Sequence, residues 1–273
     1  MPSEVSAAHA GTVQVGDRKV HRMGLGTNRL TDTAAGRTLL QRAVEQGVTF
    51  IDTADVYQSG ASESTIGRTL GGHPKGVMIA TKGGMVRTAG GLGAEGNPDH
   101  LRRALAESLH RLGTSCIELY QLHRVDDRVP IETSVGALRE MQIAGRIRKI
   151  GLSNVTVEEI ERARREATIV SVQNRYNLVE REQEGVLDYC EEHGIAFIPY
   201  TPLVRGNVAQ SKGVSEMAAR YGVTPHQLAL RWLLMRSPVM LPIPGTLSTA
   251  HLQENLAAAD IDLSLEDFHL LRQ

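Results

Sequence analysis

Short apolar runs recur along the chain at steady spacing: Thr49 to Ile51, Val77 to Ala80, Ile117 to Leu122, Ile147 to Leu152, Ile169 to Val172, Ile195 to Ile198 and Val239 to Ile243. Runs without polar alternation are the signature of strands buried on both faces. Amphipathic segments separate them. In one, Leu101, Leu105, Leu109 and Leu112 follow at three- and four-residue spacing, and Asn97-Pro98-Asp99 opens it in the manner of a capped helix with proline in its first turn. With the weaker run Met23 to Thr27 as the first strand, the alternation gives eight β/α units. It predicts an α/β fold, a closed (β/α)8 TIM barrel rather than an open doubly wound sheet. Ahead of the first unit, Thr12 to Val15 and Lys19 to Arg22 flank Gly16-Asp17, a turn pair suited to a β-hairpin. That hairpin is expected to cap the barrel bottom. Residues 1–11 read as a flexible tail and 12–273 as a single domain, because no linker or repeat array divides the chain.

Composition narrows the function. The chain has 273 residues, close to the about 250 that one barrel needs. Thirty basic side chains against thirty-one acidic ones leave a formal charge of -1, so no global field gathers nucleic-acid phosphates. Arg146 to Lys149 and Glu161 to Glu166 read as solvated flanks of strand and helix. Cys116 and Cys190 are too few for a disulfide framework, which suits a reducing cytoplasm. The N-terminus lacks the basic start and apolar core of a signal peptide or membrane anchor. No H-E-x-x-H or Cys/His cluster suggests a metal site. Gly91-Leu92-Gly93-Ala94-Glu95-Gly96 matches G-x-G-x-x-G, but it does not follow its strand directly, so it reads as a mobile active-site loop rather than a phosphate cradle.

In a barrel of this kind the loops after the strands build the active face. Polar residues that end or follow the apolar runs are Asp52, Tyr57, Lys82, His123, Ser153, Asn154, Gln173 and Tyr200. An acid, a phenol, an amine and an imidazole at one mouth suggest proton chemistry at a carbonyl. A phenol with an ordinary pKa of about 10 donates a proton more readily when an ammonium stabilises the phenolate. Lys82 is the ammonium, Asp52 its buried partner, and His123 the group that orients the carbonyl oxygen. Asp55 reads as a loop residue lining or flanking the pocket.

The run Asp52-Thr53-Ala54-Asp55-Val56-Tyr57 with Lys82 and His123, followed by Gly151-Leu152-Ser153-Asn154, resembles the aldo-keto reductase superfamily from Val20 to Phe268. The resemblance implies a catalytic tetrad of Asp52, Tyr57, Lys82 and His123, with Tyr57 as general acid and hydride coming from NADPH. It implies that Ser153, Asn154 and Gln173 hold the carboxamide, that Tyr200 stacks beneath the nicotinamide, and that Thr201-Pro202-Leu203 lie on the pyrophosphate side. Gly245, Thr246, His251, Glu254 and Asn255 match the adenosine 2′-phosphate and adenine site. Many members carry a lysine where Gly245 stands and an arginine where His251 stands, so NADH is the alternative cofactor. Gln58 departs from the glycine that often follows the tyrosine. The implied partner is a small carbonyl compound, with no nucleic acid and no membrane, and a monomer is common in the family. Pyridoxal joins small aldehydes and ketones among the substrates to test. Two other readings stand beside this one: a Schiff-base lyase using Lys82, and a cofactor-binding regulatory subunit with little turnover.

Overall fold

A computed structural model of the chain describes residues 5–72, 74–88, 90–203 and 212–271. Strands β1 (Thr12–Val15) and β2 (Arg18–His21) form an antiparallel hairpin across Gly16 and Asp17. The barrel strands are β3 (Leu25–Gly26), β4 (Phe50–Asp52) and β5 (Met78–Gly83). A second hairpin, β6 (Met85–Thr88) and β7 (Gly91–Ala94), follows β5. The series continues with β8 (Ile117–Leu122), β9 (Ile147–Ser153), β10 (Ile169–Gln173) and β11 (Ala196–Phe197). Seven of these strands curl into one parallel sheet in the order β11-β10-β9-β8-β5-β4-β3.

The eighth position is filled without a regular strand. Phe197 donates through its N–H to Val239 O at 2.9 Å, and Leu241 donates back to Phe197 O at 2.8 Å. On the other side Gly24 and Gly26 donate to Pro242 O and Pro244 O at 3.0 and 3.3 Å. Residues 239–245 therefore join β11 to β3 and close the (β/α)8 barrel, although the expected strand Val239 to Ile243 is reduced to isolated bridges. Pro242 and Pro244 have no N–H to give, which explains the interrupted ladder.

Helices α1 (Ala34–Glu45), α2 (Ala61–Leu70), α3 (Pro98–Leu112), α4 (Ile131–Ile143) and α5 (Val157–Glu166) form the outer layer with α6 (Glu184–Glu192), α7 (Lys212–Arg220), α8 (Pro225–Arg236), α9 (Thr249–Ala257) and α10 (Leu265–Leu270). The α3 start is as expected: Asn97 Oδ1 accepts from Asp99 N at 2.9 Å, Pro98 stands in the first turn, and Leu101, Leu105, Leu109 and Leu112 are buried. Trp232 of α8 is buried, stacking on Tyr176 and Phe268 with centroids 6.1 and 5.8 Å away. No helix among the described residues is long and apolar enough to cross a membrane.

The first hairpin caps the bottom. Val13, Val15 and Val20 pack with Phe50, Met78, Leu119, Ala196, Ile198 and Leu241 inside the barrel. Lys149 of β9 reaches Asp17 at 2.7 Å and is itself buried, so the basic run ending there is not wholly a solvated flank. The tail expectation changes too. Ala7–Ala10 form a 3-10 turn in which Ala7 N donates to Gln46 O at 2.9 Å and Ala7 and Ala10 are buried. Their side chains are small enough to sit against the end of α1, and Ser6 caps the turn by accepting from Ala8 N. The glycine-rich loop after β5 is the paired hairpin β6–β7, held by Arg128 Nη2 on Ala94 O at 3.0 Å and Glu95 N on Gly84 O at 3.0 Å. Its main-chain groups bond across the hairpin, which is why a segment poor in apolar residues is regular.

Candidate active site

Strand register brings the first two groups together. Asp52 at the end of β4 pairs with Ala80 of β5. Lys82 lies two residues beyond Ala80, on the same face, because side chains alternate along a strand. Lys82 Nζ meets Asp52 Oδ1 at 2.8 Å and Oδ2 at 2.9 Å, Thr53 O at 2.7 Å and Tyr57 Oη at 3.3 Å. Tyr57 arrives by a tight turn whose next two residues, Gln58 and Ser59, have φ of 49° and 55°. Non-glycine residues rarely occupy this left-handed region. That geometry accounts for the frequent glycine where Gln58 stands.

His123 follows β8, and its ring meets Tyr57 edge-on with centroids 6.0 Å apart. The remaining polar residues connect to the same network. Gln173 Nε2 donates to Asp52 Oδ1 at 2.8 Å, and Ser153 Oγ donates to Gln173 O at 2.8 Å. Asn154 Nδ2 donates to His123 O and to Ser153 Oγ, both at 3.0 Å, while its Oδ1 accepts from Tyr200 Oη at 2.6 Å. Asp52, Tyr57, Lys82, His123, Ser153, Asn154, Gln173 and Tyr200 thus form one mouth. Thr201, with φ of 54°, follows Tyr200; Pro202 is buried and Leu203 packs on the core.

Gly245, Thr246, His251, Glu254 and Asn255 form a separate group at the last β/α turn. Gly245 bridges Gly26 in parallel. Ser248 N donates to Thr246 Oγ1 at 3.0 Å, and Ser248 caps α9 by accepting from His251 N at 3.4 Å. His251 and Glu254 are exposed, and Asn255 is buried.

Burial and charge set the protonation states. Burial acts to lower the Lys82 pKa, but the charges of Asp52 and Tyr57 together outweigh it and hold the amine above its ordinary value. Burial raises Tyr57, and the opposing pull of Lys82 does not cancel it. The expected lowering by Lys82 is present in sign, but the net shift is upward. His123 is driven well below its ordinary value by burial, then by Lys82 and Arg124, so its imidazole is neutral. Asp55 is half-buried in the same turn, its N–H donating to Lys82 O at 3.1 Å, and burial and Glu63 push it up to about 7.

Two supports were not visible in the sequence. The Thr53 carbonyl accepts from Lys82, a main-chain role that no side-chain pattern encodes. Asn174 Nδ2 donates to Val155 O at 2.6 Å and its Oδ1 accepts from Val155 N at 3.1 Å, fixing the loop that carries Asn154. Its place directly after Gln173 was the available signal.

The fold agrees with comparison to known proteins. Residues 11–273 match the model of the aldo/keto reductase family. An uncharacterised oxidoreductase of Schizosaccharomyces pombe is 45% identical, with 97% of this chain and 90% of that protein covered. A pyridoxine 4-dehydrogenase of Escherichia coli is 38% identical over 94% of this chain and 96% of its own. Among solved structures, an aldo-keto reductase from Klebsiella pneumoniae in complex with NADPH superposes with a TM-score of 0.84 at 30% identity, covering 95% of this chain and 93% of that one. With a barrel that superposes on a solved aldo-keto reductase and a family match along nearly its whole length, the chain belongs to the aldo/keto reductase family.

Proposed function

We propose that this NAD(P)H-dependent reductase converts an aldehyde or ketone to an alcohol, with Tyr57 as the general acid. The observation that carries the reading is the single ammonium of Lys82, bonded at once to Asp52 and to the Tyr57 hydroxyl. NADPH, when bound, supplies the hydride. The residues fit that cofactor: among the described residues His123 Nδ1 and Thr201 Oγ1 are buried polar atoms without a hydrogen-bond partner, beside the mouth. Ser153, Asn154, Gln173 and Tyr200 would hold the nicotinamide end, Thr201 to Leu203 the pyrophosphate, and Gly245, Thr246, His251, Glu254 and Asn255 the adenosine end.

Tyr57 holds its proton at neutral pH, as a phenol with an ordinary pKa of about 10 does, and burial raises it further. It gives that proton to the carbonyl oxygen as negative charge develops there, and Lys82 stabilises the phenolate left behind. Asp52 keeps Lys82 charged, and Gln173 fixes Asp52. Neutral His123 orients the carbonyl oxygen by a hydrogen bond. A Schiff-base role for Lys82 is disfavoured by the same contacts: an ammonium held protonated by a buried carboxylate, a carbonyl and a phenol has no free lone pair for attack.

Tyr57→Phe tests the reading. It should retain NADPH binding by fluorescence titration while the reduction rate falls by about 10² to 10⁴. Unchanged turnover removes Tyr57 as the acid. The wild-type panel should compare NADPH with NADH across small aldehydes, ketones and pyridoxal; binding without oxidation of either cofactor favours a regulatory subunit.

A further inference from the structure

Two cations beside the mouth, Arg87 and Arg124, have no acidic partner among the described residues. Arg87 stands on β6 of the hairpin that rises directly from the Lys82 strand. Its Nη2 donates to Val56 O at 3.3 Å, one residue before Tyr57. Arg124 directly follows His123, close enough for its charge to act on the imidazole. Both are exposed, and neither has a carboxylate within 4 Å among the described residues.

Three other cations around the mouth are compensated. Lys82 is neutralised by Asp52, Arg128 pairs with Asp126 at 2.9 Å, and Arg175 pairs with Glu180 at 3.2 Å. Asp127 lies exposed on the Arg124 loop without pairing to either arginine. The chain's near-zero formal charge makes this a local surplus rather than a reflection of a basic protein.

Because Arg87 reaches the main chain beside the proposed proton donor and Arg124 directly follows the imidazole, both without a carboxylate partner among the described residues, we infer that the substrate is an anionic carbonyl compound, its carboxylate or phosphate held by Arg87 with Arg124 adding charge. This rests on the carbonyl-reductase reading of the same mouth. A guanidinium offers paired N–H donors matched to such an anion. The ordered hairpin holds that donor in place, which a mobile loop would not.

The test pairs succinic semialdehyde with butanal, which share chain length and aldehyde but differ in charge. Wild type should show the lower KM for the anion, and added salt should narrow the difference. Arg87→Gln should raise the KM for succinic semialdehyde about tenfold more than that for butanal, which controls for any effect through the Val56 contact, and Arg87→Lys should restore part of the difference. Equal effects on both aldehydes, or a wild-type enzyme without preference for the anion, would overturn the assignment. Calorimetric titration of the NADP+ complex with butyrate reads the anion site without turnover. Binding that weakens in Arg87→Gln supports the site even if neither aldehyde is reduced, in which case the reductase reading fails separately. No binding to wild type removes the site.

Discussion

Asp55 shows how one residue in the turn that carries Tyr57 couples the candidate site to stability. Its folded pKa of about 7 lies well above the ordinary carboxylate value of 3.8. The native state therefore holds this proton more tightly than the unfolded chain, and its contribution is fully present below about pH 4 and lost as pH rises to about 7. Asp55→Asn should remove that loss, so its stability advantage over wild type should grow across this window and then level off in urea melts. A constant difference across the window would show that Asp55 titrates normally. The sequence marked Asp52 and Asp55 as different acids, one a lysine partner and one flanking the pocket. It could not yield the raised pKa, because that follows from Glu63 and from burial, both of which appear only when α2 packs behind the turn.

Glu63 belongs to the element scale. It is fully buried on α2, where Thr81 Oγ1 donates to it at 2.5 Å from β5 and Arg111 Nε donates at 2.6 Å from α3. Three elements thus meet at one carboxylate. Removing one member of such a pair leaves the other charge buried alone, so Arg111→Ala should cost about 3–5 kcal/mol in denaturant unfolding. A Glu63→Gln/Arg111→Met double variant should recover much of that loss; a cost near zero for the single change would mean that water reaches Glu63. The leucine spacing of α3 was legible because burial of a helix face leaves a periodic trace. A polar contact between residues so far apart in sequence leaves none. The β6–β7 hairpin escaped for a related reason: its pairing is made of main-chain bonds in a glycine-rich stretch, where side-chain pattern carries little information.

At the scale of the whole molecule, the eight-unit alternation and the bottom-capping hairpin were legible in the spacing of apolar runs. The residues of the proposed catalytic set were legible because they end the barrel strands or stand in the segments that directly follow them. How the barrel closes was not, since Pro242 and Pro244 break the strand pattern where the last unit meets the first. The seam is close-fitting: a Cβ on Gly26 would come 2.6 Å from Ile243 O. Main chain opposite main chain cannot yield cheaply, so Gly26→Ala should destabilise the protein by about 1–3 kcal/mol, read from its urea midpoint. An unchanged midpoint would mean that the seam opens freely. The same seam sets an order of events during synthesis. Gly26 leaves the ribosome long before Gly245, by roughly 10 to 40 s at about 5–20 residues per second. For that interval the nascent barrel lacks its closing segment, and two parallel sheet edges lie unpaired. A chaperone that shields β3 during translation would raise the yield of folded enzyme without altering the stability of the finished one.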